Sequence, residues 1–381
     1  MFNFLEKELF FLGKNEQFDF ITFRFFDIFG VYQDITCSAH YFSNNSLQDN
    51  AVIVSPNSLT DCISNKKIYL KADLNTFFPD LLSNAIIIHC NIVVKSHEGI
   101  NHYSNLNHDP RYIASRTDSY LLNSMEIDQI AFLIELEFYA HIENDLEDEF
   151  YNNLKSNFEK SNIELVSYRK LEVNKRLVGI FSLGILNTAD TIEKVKYLLK
   201  KIGVRYQITV AFESNKEQPA RIIVNHIIYQ NSRSIFQLNN FFAPTEEVTR
   251  YIGGIFYNYD QIIDLSKKLK QNSENSRKIK FYYAEDLPSL KNHCKAMVND
   301  LYISIDLPIR GINSYILLAS LIIYGIDGIY EKIECNELDI GQNNCILDQR
   351  LDFSDLSIAP TSFNLIHNVM GEEIVDLYKK V

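Results

Sequence analysis

The stretch "LIELEFYAHIE" (residues 133–143) places two carboxylates, Glu135 and Glu137, two residues apart inside an alternating apolar run. Successive side chains of a strand point to opposite faces, so residues i and i+2 share one. Ile134, Leu136 and Phe138 then make one face, and Leu133, Glu135, Glu137 and Tyr139 the other. By the strand rise the two acids stand about 6.5–7 Å apart. Two like charges on a half-buried strand are unfavourable unless something cationic lies between them. Mg²⁺ or Mn²⁺ suits such hard oxygen ligands. A solvated strand face is the plain alternative.

The rest of the chain bounds the answer. Its 381 residues exceed the usual single domain, and 46% apolar residues can build a sizeable core. A net charge of −12 argues against nucleic acid as a partner and fits a cytoplasmic protein. The six cysteines are scattered without a CxxC pair, so reduced thiols are expected rather than a zinc site. "MFNFLEKELFFLGKNEQFDF" (1–20) has no basic region ahead of its apolar residues and does not read as a signal peptide. "YILLASLIIYGI" (315–326) is too short to span a bilayer and reads as a buried helix, so no membrane contact is expected.

"FDFITFRFFDIFG" (18–30), "DITCSAHYF" (34–42) and "AIIIHCNIVV" (85–94) read as strands, the first two as a hairpin. "HDPRYIASRTDSYLLNSM" (108–125) starts a helix with Asp109 as N-cap, Pro110 at its first position, and Ile113, Thr117, Tyr120 and Leu121 on one face. A boundary near residue 105 is therefore expected. Further helices are expected over 189–203, with Asp190 near the start and Gly203 at the end, over 245–265 with Thr245 as cap, and over 313–333 with Asn313 as cap, and "GEEIVDLYKK" (371–380) closes the chain. "QITVAF" (207–212) and "ARIIVNHIIY" (220–229) read as strands. The charge run 267–280 reads as a solvated linker, and Gly253-Gly254 as a close helix contact. Strands and helices mix without a βαβ rhythm, so the fold class is α+β.

Several of these segments, in order, resemble glutamine synthetase. "ITFRFFDIFGVYQDITCSAHYF" (21–42) is similar to that family's N-terminal β-grasp domain, and "DPRYIASRTDSYL" (109–121) to its "DPR-x-IA-x-R…YL". "ELEFY" (135–139) stands where the family has "EPEFF", and "KYLLKKIGVRYQITVAF" (196–212) is similar to the family segment that follows. "RYIGGIFYNYDQIIDL" (250–265), "NSYILLASLIIYGIDGIYEKI" (313–333) and "VMGEEIVDLYKKV" (369–381) match its later helices. The resemblance implies a β-grasp-like domain over 1–104 and a catalytic-type domain over 105–381, built on a curved antiparallel sheet flanked by helices. It also implies ATP-driven ligation of ammonia to glutamate, with divalent metals held by Glu and His. Glu135 and Glu137 match the two acids that each serve one metal. Homo-oligomeric rings with active sites between subunits are implied too, although the interfacial "DGSS" loop has no counterpart.

The remaining metal ligands do not match. Aligned without a gap, the family's two later acids fall on Arg169 and Leu177, its metal histidine on Val224, and its late acid on Ser304, in "YISIDLP" (302–308), with Tyr302 and Asp306 on either side. A further family acid falls on Lys67. Only the second histidine persists, as His226, a candidate phosphate contact, and no glycine occurs between Gly203 and Gly253. One carboxylate per ion holds Mg²⁺ poorly, and an arginine at 169 would compete for the same acids. The expectation is a pseudoenzyme without cofactor or catalytic residues, whose Glu135 and Glu137 are vestigial and paired with protein cations, and which works by binding a partner or small molecule. The alternatives are a divergent ATP-dependent carbon–nitrogen ligase using Mg or Mn, with new ligands drawn from Glu164, Glu172 and Glu213, and a subunit that co-assembles with an active glutamine synthetase paralogue.

Overall fold

A computed structural model describes residues 18–27, 31–39, 51–54, 68–95, 103–212, 220–237, 244–266, 278–283, 301–308, 312–333, 346–347 and 369–370. The first sheet joins β1 (Phe20–Phe26), β2 (Tyr32–Ser38), β3 (Ala51–Val54), β4 (Ile68–Ala72), β5 (Phe78–Pro79), β6 (Ala85–Lys95) and β7 (Tyr103–Asn105). Its order is β2-β1-β6-β4-β3, with β5 and β7 also on β6. The β1–β2 hairpin forms as expected from its alternating pattern. β1 and β6 run parallel and the other pairs antiparallel, so this sheet is mixed.

The chain continues through α1 (Pro110–Ser124), β8 (Ile127–Tyr139), α2 (Glu147–Lys160), β9 (Glu164–Glu172), β10 (Lys175–Leu183) and α3 (Ile185–Arg205). Next come β11 (Arg221–Gln230), β12 (Arg233–Ser234), α4 (Glu246–Tyr257), α5 (Tyr259–Ser266), β13 (Lys278–Tyr283), β14 (Leu301–Pro308), α6 (Ser314–Tyr330) and β15 (Ile346–Leu347). The second sheet has the order β15-β13-β14-β11-β8-β10-β9, with β12 on β11, and is antiparallel throughout. The architecture is α+β, with helices flanking the sheets.

α6 is the hub of the helical layer. It is apolar on every side, and every residue from Ser314 to Gly328 is buried, as an all-round hydrophobic helix must be. Asn313 caps it, accepting the Tyr315 and Ile316 N–H groups at 3.1 and 3.3 Å. α4 crosses α6 with Gly254 against Gly328, and a Cβ on Gly254 would meet Tyr324 O and the Gly328 backbone. α1 starts as the sequence indicates: the Asp109 carboxylate accepts the Arg111 N–H at 3.1 Å and Pro110 needs no donor.

Three expectations change. α3 begins at Ile185, before Asp190, and its first two N–H groups are capped at 2.9 Å each by Asp118 of α1. Asp190 lies inside the helix and is buried. The segment 207–212 makes only an isolated bridge, Ala211 to Tyr139. Its alternation reflects burial of Val210 and Phe212 rather than sheet pairing. The helix expected over 245–265 is two. Asn258 ends α4, donating from Nδ2 to Gly254 O at 2.9 Å, and its carbonyl then accepts the Ile262 N–H of α5. Thr245 precedes α4 but its hydroxyl makes no capping bond. The closing segment 371–380 and the run 267–277 lie outside the described residues.

Candidate functional site

The sheet register decides which residues meet Glu135 and Glu137. Glu137 pairs with Leu177 of β10, which pairs with Arg169 of β9. Glu135 pairs with Gly179 on one side and with Ile223 of β11 on the other, and Ile223 pairs with Asp306 of β14. Directly opposed residues share a face. Arg169, Leu177 and Asp306 therefore stand on the carboxylate face. Ser304, in the neighbouring row, pairs with Asn225, which pairs with Leu133, so it lies on that face as well.

Val224 and His226 do not. Val224 pairs with Ile134, on the reverse face, and His226 follows it by two. His226 is fully buried, and its Nε2 lies 2.8 Å from the Tyr251 hydroxyl of α4. Burial pushes its pKa down to about 3, so it is a neutral core imidazole packed against the aromatic rings of Phe132, Phe236 and Tyr251. His226, the candidate phosphate contact, thus faces away from the two acids. Val224 likewise is no vacant ligand position, and on β11 the residues facing the acids are Ile223 and Asn225.

The two carboxylates are held by cations of the same chain. Glu135 Oε1 accepts from Arg169 Nη2. Glu137, buried to 1% exposure, accepts the backbone N–H of Arg221 at 3.0 Å, its Nε at 3.3 Å and its Nη2 at 3.2 Å. Lys175 Nζ lies 2.9 Å from Glu137 Oε2, the oxygen that also accepts the Arg221 backbone N–H. Arg221 also donates from Nη1 to Asp306 at 2.8 Å. Arg169 thus pairs with Glu135, while Lys175 and Arg221 share Glu137 and Arg221 reaches on to Asp306. Burial pushes the Glu135 carboxyl above the usual carboxylate range, with Arg169 pulling the other way. Burial lowers the Arg221 guanidinium, yet Glu137 and Asp306 outweigh it and the pKa is raised.

The residues present do not fit a pair of divalent ions. Glu135 and Glu137 are engaged by arginine and lysine, Leu177 presents an apolar side chain opposite Glu137, and Arg169 adds a cation where a third acid would be needed. Among the described residues no group of three or more His, Cys, Asp or Glu side chains is placed to hold a metal. Glu164 and Glu172 stand on the outer strand β9, paired with Phe181 and Lys175, and Glu213 and Lys67 lie outside the described residues. Sequence reasoning missed Lys175 and Arg221. Their signal was faint: each is the cation that opens a strand, beside the end of the acidic run.

A second buried polar cluster joins the first sheet to the helices. Arg111 of α1 donates to Asp190 of α3 from Nε and Nη2 at 2.9 and 2.6 Å, to Asp73 at 2.9 Å and to Asn91 at 2.6 Å. Tyr315 OH of α6 donates to Asp190 at 2.7 Å, and His89 Nδ1 of β6 lies 3.0 Å away. Burial would raise the Asp190 carboxyl, but Arg111 beside it holds it well below the usual range. Burial lowers His89 to about 4, so it is neutral at physiological pH. Every member is engaged by another element, which makes this a structural clamp. No helix among the described residues is long and apolar enough to cross a membrane.

No family model matches the chain, and no curated protein matches it. Solved structures do. The cryo-EM structure of Plasmodium falciparum glutamine synthetase superposes with a TM-score of 0.71 over 99% of this chain and 94% of that one, at 14% sequence identity. At that identity the likeness is one of fold. Along nearly its whole length, the chain carries the glutamine-synthetase fold.

Proposed function

We propose that this protein is a non-catalytic member of the glutamine-synthetase fold, working by binding a partner or a small molecule rather than by making glutamine. The observation that carries this reading is the ion-pair network on the β8 face. Arg169 holds Glu135, while Lys175 and Arg221 hold Glu137. A charge pair inside the site supplies what a metal would otherwise supply, and the acids no longer need one. Loss of several members of a cooperating site removes most of its rate. We assign residues 1–104 and 105–381 to two domains, β-grasp-like and catalytic-like, and propose self-association or co-assembly with an active paralogue, because glutamine synthetases work as rings of subunits. Calorimetric titration with ATP and Mg²⁺ tests the reading. Absence of metal-dependent nucleotide binding is the expected result, and a micromolar metal-dependent affinity overturns it.

Asp306 favours a second reading. It stands in the same row as Glu135, so three carboxylates share one face. If substrate displaces Arg169 and Arg221, the face becomes acidic enough for Mg or Mn with ATP, as in a divergent carboxylate–amine ligase. Metal-dependent ATP hydrolysis that is lost in Asp306→Asn would select this reading.

A further inference from the structure

A groove of about 350 Å³ opens between the first sheet and α3. It draws nothing from the face that carries Glu135 and Glu137. Ile87 of β6 lines it, as does Phe20, a residue 44% exposed at the start of β1. Its polar lining includes Asp34, Thr36, Asp80 and Lys201.

Both carboxylates are fixed from behind, Asp34 by a cation and Asp80 by neutral donors. Asp34 accepts Arg24 Nε and Nη2 at 2.8 and 2.7 Å. Arg24 is itself buried, its guanidinium 4.1 Å from both the Tyr32 and Tyr197 ring centres. A third of the Asp34 side chain remains exposed. Asp80 accepts the Tyr197 hydroxyl at 2.9 Å. Lys201 Nζ stands 3.8 Å from Asp80, beyond hydrogen-bond range, so its donors are available to a ligand.

We propose that this groove binds a small, neutral, polyhydroxylated ligand of monosaccharide size. Counting Arg24 behind Asp34, the two carboxylates and the two cations sum to zero, so neither an anion nor a cation gains a net partner. A hydroxyl donates to a carboxylate while accepting from an ammonium, and the groove offers both at fixed positions. An exposed aromatic ring takes the C–H face of a sugar. The volume lies at the small end of ligand sites, and the anchored Asp34 lowers the ordering that binding requires.

A methyl NMR titration of the full chain with D-glucose and myo-inositol tests it. At least one probe should saturate with a Kd on the order of millimolar. The Thr22, Thr36, Ala85 and Ile87 methyls should shift while those of Ile134 and Val224 stay fixed. Phe20→Ala, at an exposed position, and Lys201→Met, at a half-buried one, should each weaken binding by about fivefold to tenfold. Linear, unsaturable shifts with both probes, saturation that leaves the groove methyls unmoved, or variants that bind as the wild type does would each overturn the proposal. None of these results bears on the metal-face reading.

Discussion

Replacing Glu137 by Gln separates a structural ion pair from an empty metal site. In a metal site without its ion, two neighbouring carboxylates repel, and neutralising one raises stability. Here Glu137 receives three bonds from Arg221 and one contact from Lys175 while almost wholly buried. Removing one partner of a buried pair typically costs about 3–5 kcal/mol. Arg221 is 45% exposed and retains Asp306, so part of its charge rehydrates and the loss falls to about 2–3 kcal/mol. For a chain of 381 residues the unfolding entropy makes that a drop of roughly 3–4 °C in Tm. Glu135→Gln should cost under about 1 kcal/mol, because Arg169 is largely exposed. Scanning calorimetry in EDTA measures both. If Glu137→Gln melts at or above the wild-type temperature, the carboxylates are not held by this network and the reasoning is refuted.

Other perturbations reach the rest of the fold. Arg111→Met strips Asp190 of its cation and should cost about 3–5 kcal/mol in urea unfolding. Gly254→Ala should cost about 1–3 kcal/mol by forcing α4 off α6, again read by urea unfolding. Asp327, near the end of α6, is raised to about 7 by burial and by Glu331. The folded carboxyl keeps its proton to about pH 7 while the unfolded one loses it near 4, so the wild type loses stability as pH rises between those values. Asp327→Asn should therefore be more stable by about 1–2 kcal/mol at pH 8, after allowance for solvent screening, and equal to wild type at pH 4.

Local signals made much of the fold readable. Asp109-Pro110 marks the start of α1 with a cap and a residue that needs no donor, and the unbroken apolar run of 315–326 announces a central helix. The same "DPR" run that carries much of the resemblance turns out to serve the fold: Asp109 caps α1, accepting the Ile92 N–H as well, and Arg111 anchors the clamp. Long-range partnerships were not readable. The strand spacing shows that Glu135 and Glu137 share a face, but Arg221 lies 84 residues from Glu137, and nothing in one sequence fixes which strand lies beside β8. Arg169 could be anticipated because it is an arginine at a position where an acid belongs. Val224 and His226 were misplaced because a one-residue slip between strands exchanges the two faces. The buried Tyr251 that holds His226 comes from α4, after an intervening stretch that no local pattern connects to it.

The central claim is that cations of this chain have taken the place of metal on the β8 face. Manganese binding followed by electron paramagnetic resonance, in the wild type and in an Arg169→Glu/Leu177→Glu double variant, tests it most directly. The double variant places two acids in the row of Glu137, at 177 beside it and at 169 one strand further, in the register observed. The account predicts no manganese binding below about millimolar in the wild type and a gain of at least about tenfold in the double variant. Micromolar manganese binding by the wild type, abolished in Glu135→Gln, would contradict it.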